Sequence, residues 1–179
     1  NQQTLEANRV SVIDLGSVPK SATGLTISAT EPVTAAAKVT NDGDGDQADF
    51  ALVNASVPMN VSAIAVPDHA TAQVSVTNTS DDDRTATLTS YNGDGDIVEQ
   101  SDLTIRAGAS TTIELADIND GDVAAVSLAD PDQSMVWNIR VSQKDVSDAK
   151  LAGVSVIGAT DLKEAREQVW SNQNMTIVR

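Results

Sequence analysis

The residues best placed to do chemistry are the acids of Asp42-Gly-Asp44-Gly-Asp46-Gln-Ala-Asp49. Carboxylates at alternate positions of a glycine-rich loop can converge on a hard cation, and calcium takes six to eight oxygen ligands. A second, shorter copy stands at Asn92-Gly-Asp94-Gly-Asp96. Both depart from the helix-flanked calcium loop where that loop is strictest. Gln47 and Ile97 occupy the place of its glycine, and Val53 and Leu103 that of its bidentate glutamate. The same composition also makes a turn, with glycine supplying positive φ and aspartate bonding its own backbone. The turn is the preferred reading of both loops. Weak calcium binding at Asp42, Asp44, Asp46 and Asp49 is the functional alternative, and no other cofactor is expected.

The remaining chemistry is sparse. One histidine, His69, is present, so an imidazole-based triad would have to use it and a histidine-pair metal site cannot form. No strained nucleophile turn surrounds any serine, and His69 reads as a loop residue at a domain junction. Carboxylate pairs for glycoside hydrolysis are available from 26 Asp+Glu, which makes their presence uninformative. Sugar sites favour aromatic platforms, and the aromatics are Phe50, Tyr91, Trp137 and Trp170. Trp137 lies in an apolar run and reads as core. Asp81-Asp82-Asp83 reads as a solvated loop that discourages edge pairing. Asn-x-Ser/Thr sites at Asn54, Asn60, Asn78 and Asn174 are expected by chance in a chain this rich in Ser and Thr.

Composition narrows the partners. The net charge is −15, with 11 Lys+Arg, so no basic face is available to displace counterions from nucleic acid. An anionic bilayer surface would repel the chain, and no apolar run is long enough to insert as a helix. The partner is therefore expected to be a protein or another cell-envelope component. With no cysteine there are no disulfides, thiolate metal sites or thiol nucleophiles. An exported bacterial protein fits this better than a small eukaryotic secreted domain. The chain opens on Asn1, which suits removal of an upstream signal or anchor.

The elements that must carry these residues are strands. Hydrophobic residues make up 40% of the chain but aromatics only 2%, so the interior is built from Val, Ile, Leu and Ala. Apolar residues alternate over 72–78, 85–91, 97–105, 110–115, 123–128, 135–141 and 150–157. Turn residues separate these runs at Asn92–Asp96, Ala107-Gly108, Asn119-Asp-Gly121 and Asp130-Pro131-Asp132. About seven short strands at such spacing predict a β-sandwich. Five weak matches in one order relate the N-terminal third to this region at an offset of roughly one hundred residues. They pair Ile13-Asp14-Leu15 with Ile113-Glu114-Leu115, Ile27-Ser28 with Val126-Ser127 and Glu31-Pro32 with Asp130-Pro131. Lys38-Val39-Thr40 pairs with Arg140-Val141-Ser142, and Asp49-Phe50-Ala51 with Lys150-Leu151-Ala152. Near the end, Asp161 and Glu164 form a capping box for a short helix over 161–170.

The pattern is all-β: two Ig-like β-sandwich units in tandem. The first, 1–66, is incomplete or is completed by a C-terminal strand near 175–179. The second, 67–158, is complete, and 159–179 holds the helix and tail. A β-propeller fragment is the alternative. The runs Val74-Ser-Val-Thr-Asn78, Tyr91-Asn-Gly-Asp-Gly95, Ala107-Gly108 before Ile113-Glu-Leu115, and Val136-Trp-Asn-Ile-Arg140 resemble a family of actinobacterial proteins. Its members are secreted or membrane-anchored and of unknown function. The resemblance spans about 70–157, with echoes in 1–55. It implies an extracytoplasmic β-rich repeat, secreted or attached to the envelope, and assigns no functional residue. The expected function is a non-enzymatic adhesion or spacer module. A carboxylate-based wall or glycan hydrolase and a calcium-dependent binding module are the alternatives.

Overall fold

The structure, a computed structural model, describes residues 4–14, 24–41, 49–67, 71–118, 122–143 and 153–162. Eleven strands lie among them: β1 (Ala36–Asn41), β2 (Asp49–Asn54), β3 (Val61–Ala65), β4 (Thr71–Asn78), β5 (Arg84–Tyr91), β6 (Ile97–Ile105), β7 (Ser110–Glu114), β8 (Ala125–Ala129), β9 (Met135–Gln143), β10 (Gly153–Gly158) and β11 (Thr160–Asp161). One 3-10 turn, Leu115–Asp117, follows β7.

The body is a β-sandwich of two antiparallel sheets. One has the order β10-β9-β4-β7 and the other β11-β3-β8-β5-β6. Alternation builds it, because successive side chains on a strand point to opposite faces. Ala72, Val74 and Val76 of β4 are buried, with Trp137, Ile139 and Val141 of β9 beside them. Opposite them, Val126 and Leu128 of β8 meet Ala86 and Leu88 of β5 and Ile64 of β3. These residues form one apolar core shared by both sheets, so the molecule is a sandwich rather than a set of separate propeller blades. Turn chemistry cuts the strands as the sequence requires. Gly108, at φ +63°, closes the β6–β7 turn, where Ala109 donates to the Arg106 carbonyl at 3.0 Å.

The sandwich extends across the expected boundary at 66. Val61–Ala65 pairs with β8, and its buried Ser62 and Ile64 face the core. After β10 the chain crosses to the opposite sheet, where Thr160–Asp161 pairs with β3. Asp161, expected to cap a helix, ends this strand directly before the helical Leu162, which is the extended position an N-cap takes. The remainder of the 161–170 helix beyond 162 and the tail strand near 175–179 lie outside the described residues, as does Trp170.

The N-terminal third is built differently. β1 and β2 form an antiparallel hairpin with Val39 opposite Ala51, and β2 runs beside β10. Residues 9–14 and 24–29, whose sequence matches lie in β7 and β8, carry no strand. Of the five matches, Lys38-Val39-Thr40 in β1 and Arg140-Val141-Ser142 in β9 are both strand, whereas Lys150-Leu151-Ala152, the match to Asp49-Phe50-Ala51 of β2, lies outside the described residues. Gly24 meets the sandwich where a Cβ would come within 2.5 Å of Thr77 Oγ1 and 2.7 Å of Ser110 Oγ. That approach is open to glycine alone unless the Thr77–Ser110 hydroxyl pair, 2.8 Å apart, gives way.

Candidate functional site

Polar side chains concentrate at one end of the sandwich, where the β4–β5 loop, the β6–β7 turn, the β8–β9 loop and the segment leading into β3 come together. Asn78 closes β4 there and is fully buried. Its Nδ2 lies 2.8 Å from the Asp82 carbonyl, 2.9 Å from that of Ile105 and 3.2 Å from that of Arg106. Its Oδ1 accepts from Ser80 N at 3.0 Å and Ser80 Oγ at 2.8 Å. One amide thus pins two loops to the sheet end, and both its ends are taken. The glycosylation signal at Asn78 is consequently closed to modification.

Asp130 plays the matching part for the β8–β9 loop. Its carboxylate is fully buried and accepts from Ser134 N and Met135 N, both at 2.6 Å, and from Ser134 Oγ at 3.3 Å. Its amide donates to the Asn60 carbonyl at 2.7 Å, tying the entry to β3. Asp130-Pro131-Asp132-Gln133 closes as a β-turn through Gln133 N to the Asp130 carbonyl, with Pro at the position whose φ it presets. Gln133 then takes φ +49°, a left-handed conformation that costs a side chain of its size about 1 kcal/mol. Thr79 binds the same loop, its N and Oγ1 each 2.8 Å from the Ser134 carbonyl.

One cation, Arg84, links two of the acidic loops at this end. Arg84 lies 3.1 Å from Asp82 and 3.6 Å from Asp132, and Asp83 accepts from Ala107 N at 3.0 Å. The Asp81–Asp83 run is thus partly a loop clasp as well as a solvated patch. Inside the core, Trp137 Nε1 of β9 donates to Ser62 Oγ of β3 at 2.7 Å, joining the two sheets through a buried bond.

A groove of about 360 Å³ opens beside this end, lined by Val57, Pro58, Met59, Asn60, Val61, Gln133 and Asp161. Its floor is mainly aliphatic. Two amides and one carboxylate could orient a small polar ligand. Asp161 is the ionisable group among the lining residues, whereas glycoside hydrolysis by the usual route needs two carboxyl groups.

The candidates that residue type and spacing suggest fall elsewhere. Asp42, Asp44 and Asp46 lie outside the described residues, and Asp49 is the first residue of β2. The second loop is a turn by its bonding: Asn92 Oδ1 accepts from Asp94 N at 3.1 Å and Asp96 N at 2.9 Å, and Gly95 has φ +86°. Among the described residues no cluster of three metal-ligating side chains occurs. His69 lies outside the described residues. Trp137 is core, as its apolar strand implies. Neither Asn78 nor Asp130 stands out in the sequence as a site residue, though Asp130 belongs to a recognisable turn.

Residues 1–116 match the model of a family of unknown function, DUF5719. The chain belongs to DUF5719. The match includes the N-terminal third and the sandwich through β7, and overlaps the sequence resemblance over 70–116. No curated protein matches the chain, and no solved structure does. The DUF5719 match names no residue role, so the chemistry of the site rests on the geometry above.

Proposed function

We propose that the chain is a non-enzymatic structural or binding module, an adhesion or spacer domain, of the bacterial cell envelope. The observation that carries this reading is where the buried polar groups point. Asn78, Asp130, Ser62, Thr77 and Ser134 bond to loops, strand ends and neighbouring strands of the fold itself. A catalytic site instead aims such groups at a substrate and leaves their pairing to the complex. The strongly acidic balance supports solubility at an exterior surface and a protein or envelope partner rather than nucleic acid. The likeness to actinobacterial secreted or membrane-anchored proteins supports the extracytoplasmic location.

External protease treatment of intact source cells, read by antibody against the chain, tests location. Loss of the chain from cells, or its recovery in culture medium, is the expected result; full protection until lysis overturns it. Incubation with purified wall and glycan polymers tests activity. Unchanged polymer is expected, and release of fragments that stops on replacing an acidic residue overturns the non-enzymatic reading.

A further inference from the structure

The groove beside β3 has walls anchored to the sandwich and one residue held in a conformation its side chain does not favour. Residues 57–61 form one wall, Gln133 of the β8–β9 loop a second, and Asp161 at the end of β11 a third. The Asn60 carbonyl accepts from Asp130 N at 2.7 Å, Val61 pairs with Ala129 of β8, and Asp161 pairs with Ser62 of β3. Gln133 N donates to the carbonyl of the buried Asp130 at 3.0 Å. The space of about 360 Å³ is therefore bounded by backbone already ordered, which lowers the entropy cost of binding. Gln133 sits at φ +49°, where glycine or asparagine is the usual occupant. Residues held in such conformations cluster at ligand clamps, and this glutamine gives up stability while lining the groove.

The lining selects a ligand class. Val57, Pro58, Met59 and Val61 supply aliphatic surface, and Val57 is 72% exposed. Asn60 and Gln133 add amide oxygens, and Asp161 adds a carboxylate. No lysine or arginine stands among the described residues that line the groove, so an anion finds no counter-charge there and meets a chain of net charge −15. A bare calcium ion is unsuited too, since one carboxylate on an aliphatic floor falls short of the six to eight oxygens it takes. An ammonium on a short apolar stem suits both surfaces. We infer that this groove binds a lysine side chain displayed by a partner polypeptide. Its stem runs along Val57, Met59 and Val61, and its three N–H donors meet the Asp161 carboxylate and the amide oxygens. A carboxylate has about four acceptor positions, so Asp161 can take an ammonium beside bonds it makes within the chain. The assignment rests on the binding reading proposed above and names the chemistry that the partner must show.

The test titrates the full isotope-labelled chain with Nα-acetyl-lysine methylamide at physiological salt and follows amide NMR shifts. Shifts at 57, 59–61, 133 and 161 are expected, with a Kd on the order of a few millimolar. The norleucine analogue keeps the stem and lacks the ammonium, and it is expected to bind about tenfold more weakly. Asp161→Asn is expected to weaken lysine binding by about the same factor, with core amides such as Val126 unshifted. Gln133→Gly is expected to raise the melting temperature and still weaken lysine binding, which separates a role in the groove from a role in folding. Equal affinity for the norleucine analogue, or unchanged lysine binding in either variant, overturns the inference. So do shifts of equal size over the acidic loops at 81–83 and 94–96, because the probe then follows net charge rather than the groove. Absence of any shift over 57–61 overturns it as well and leaves the non-enzymatic reading standing, since that reading falls to polymer cleavage.

Discussion

Residues 9–14 and 24–33 resemble the sandwich strands in composition and stand opposite to them in environment. Val126 and Ile27 occupy matching sequence positions, but one is sealed from water and the other is half exposed. What differs is the number of neighbours that topology provides. Val126 sits on a central strand with partners on both edges and a second sheet above, whereas Ile27 lies in a segment without a ladder. Burial of a Val or Ile side chain contributes about 1.5–3 kcal/mol, and a strand alone cannot recover the backbone entropy its ordering costs. Alternation is therefore necessary for a strand and insufficient without a sheet to join.

The sharpest way to break this comparison is to charge both positions. Val126→Asp is expected to prevent folding, because an unpaired carboxylate in the core exceeds the usual stability of a domain this size. Ile27→Asp is expected to change urea-unfolding stability by less than about 0.5 kcal/mol. Equal effects would show that the two regions are packed alike. Trp137→Ala should cost about 3–5 kcal/mol, since it opens a cavity between the sheets and leaves Ser62 without its indole donor. The same unfolding curve measures it. Asn78→Ala should cost about 2–3 kcal/mol by stranding the carbonyl of Ile105 and freeing the loop at Ser80. Exchange at Gly108, whose amide bonds Ser80, should accelerate with it. Gln133→Gly should raise stability by roughly 0.5–1 kcal/mol, since the left-handed φ there suits glycine. A loss of stability there would mean that the Gln133 side chain itself holds the groove.

The strands over 71–143 are legible in the sequence because each runs for several apolar inward positions, with polar ones such as Asn78 and Ser90 confined to strand ends, and because their turns carry Gly, Asn or Asp-Pro. β3 is not, for a physical reason. Its inward residues are Ser62 and Ile64, and a serine on the core side erases the alternation that marks a strand. Ser62 is tolerated because the Trp137 indole satisfies it, a pairing across 75 residues that no local pattern contains. Asn78 is hidden for a similar reason: its partners are carbonyls of loops distant in sequence, and a polar residue at a strand end looks like an ordinary turn residue. Asp130 is visible as turn punctuation, but its burial depends on how β3 and β9 enclose the loop. The matches between the N-terminal third and the sandwich are a likeness of residue order. Which of the matched runs become strands depends on neighbours that periodicity does not supply.

Amide exchange of the unmodified chain, resolved by residue, tests the central contrast most directly. Val74, Val76, Val126, Leu128, Trp137 and Ile139 should exchange only through global unfolding, with protection that tracks the unfolding free energy measured in urea. Residues 10–13 and 24–33 should exchange near the rate of an unstructured peptide. Comparable protection in the two sets at low protein concentration would contradict the account, because it would require a cover for Ile27 and Val12 that the described residues do not supply.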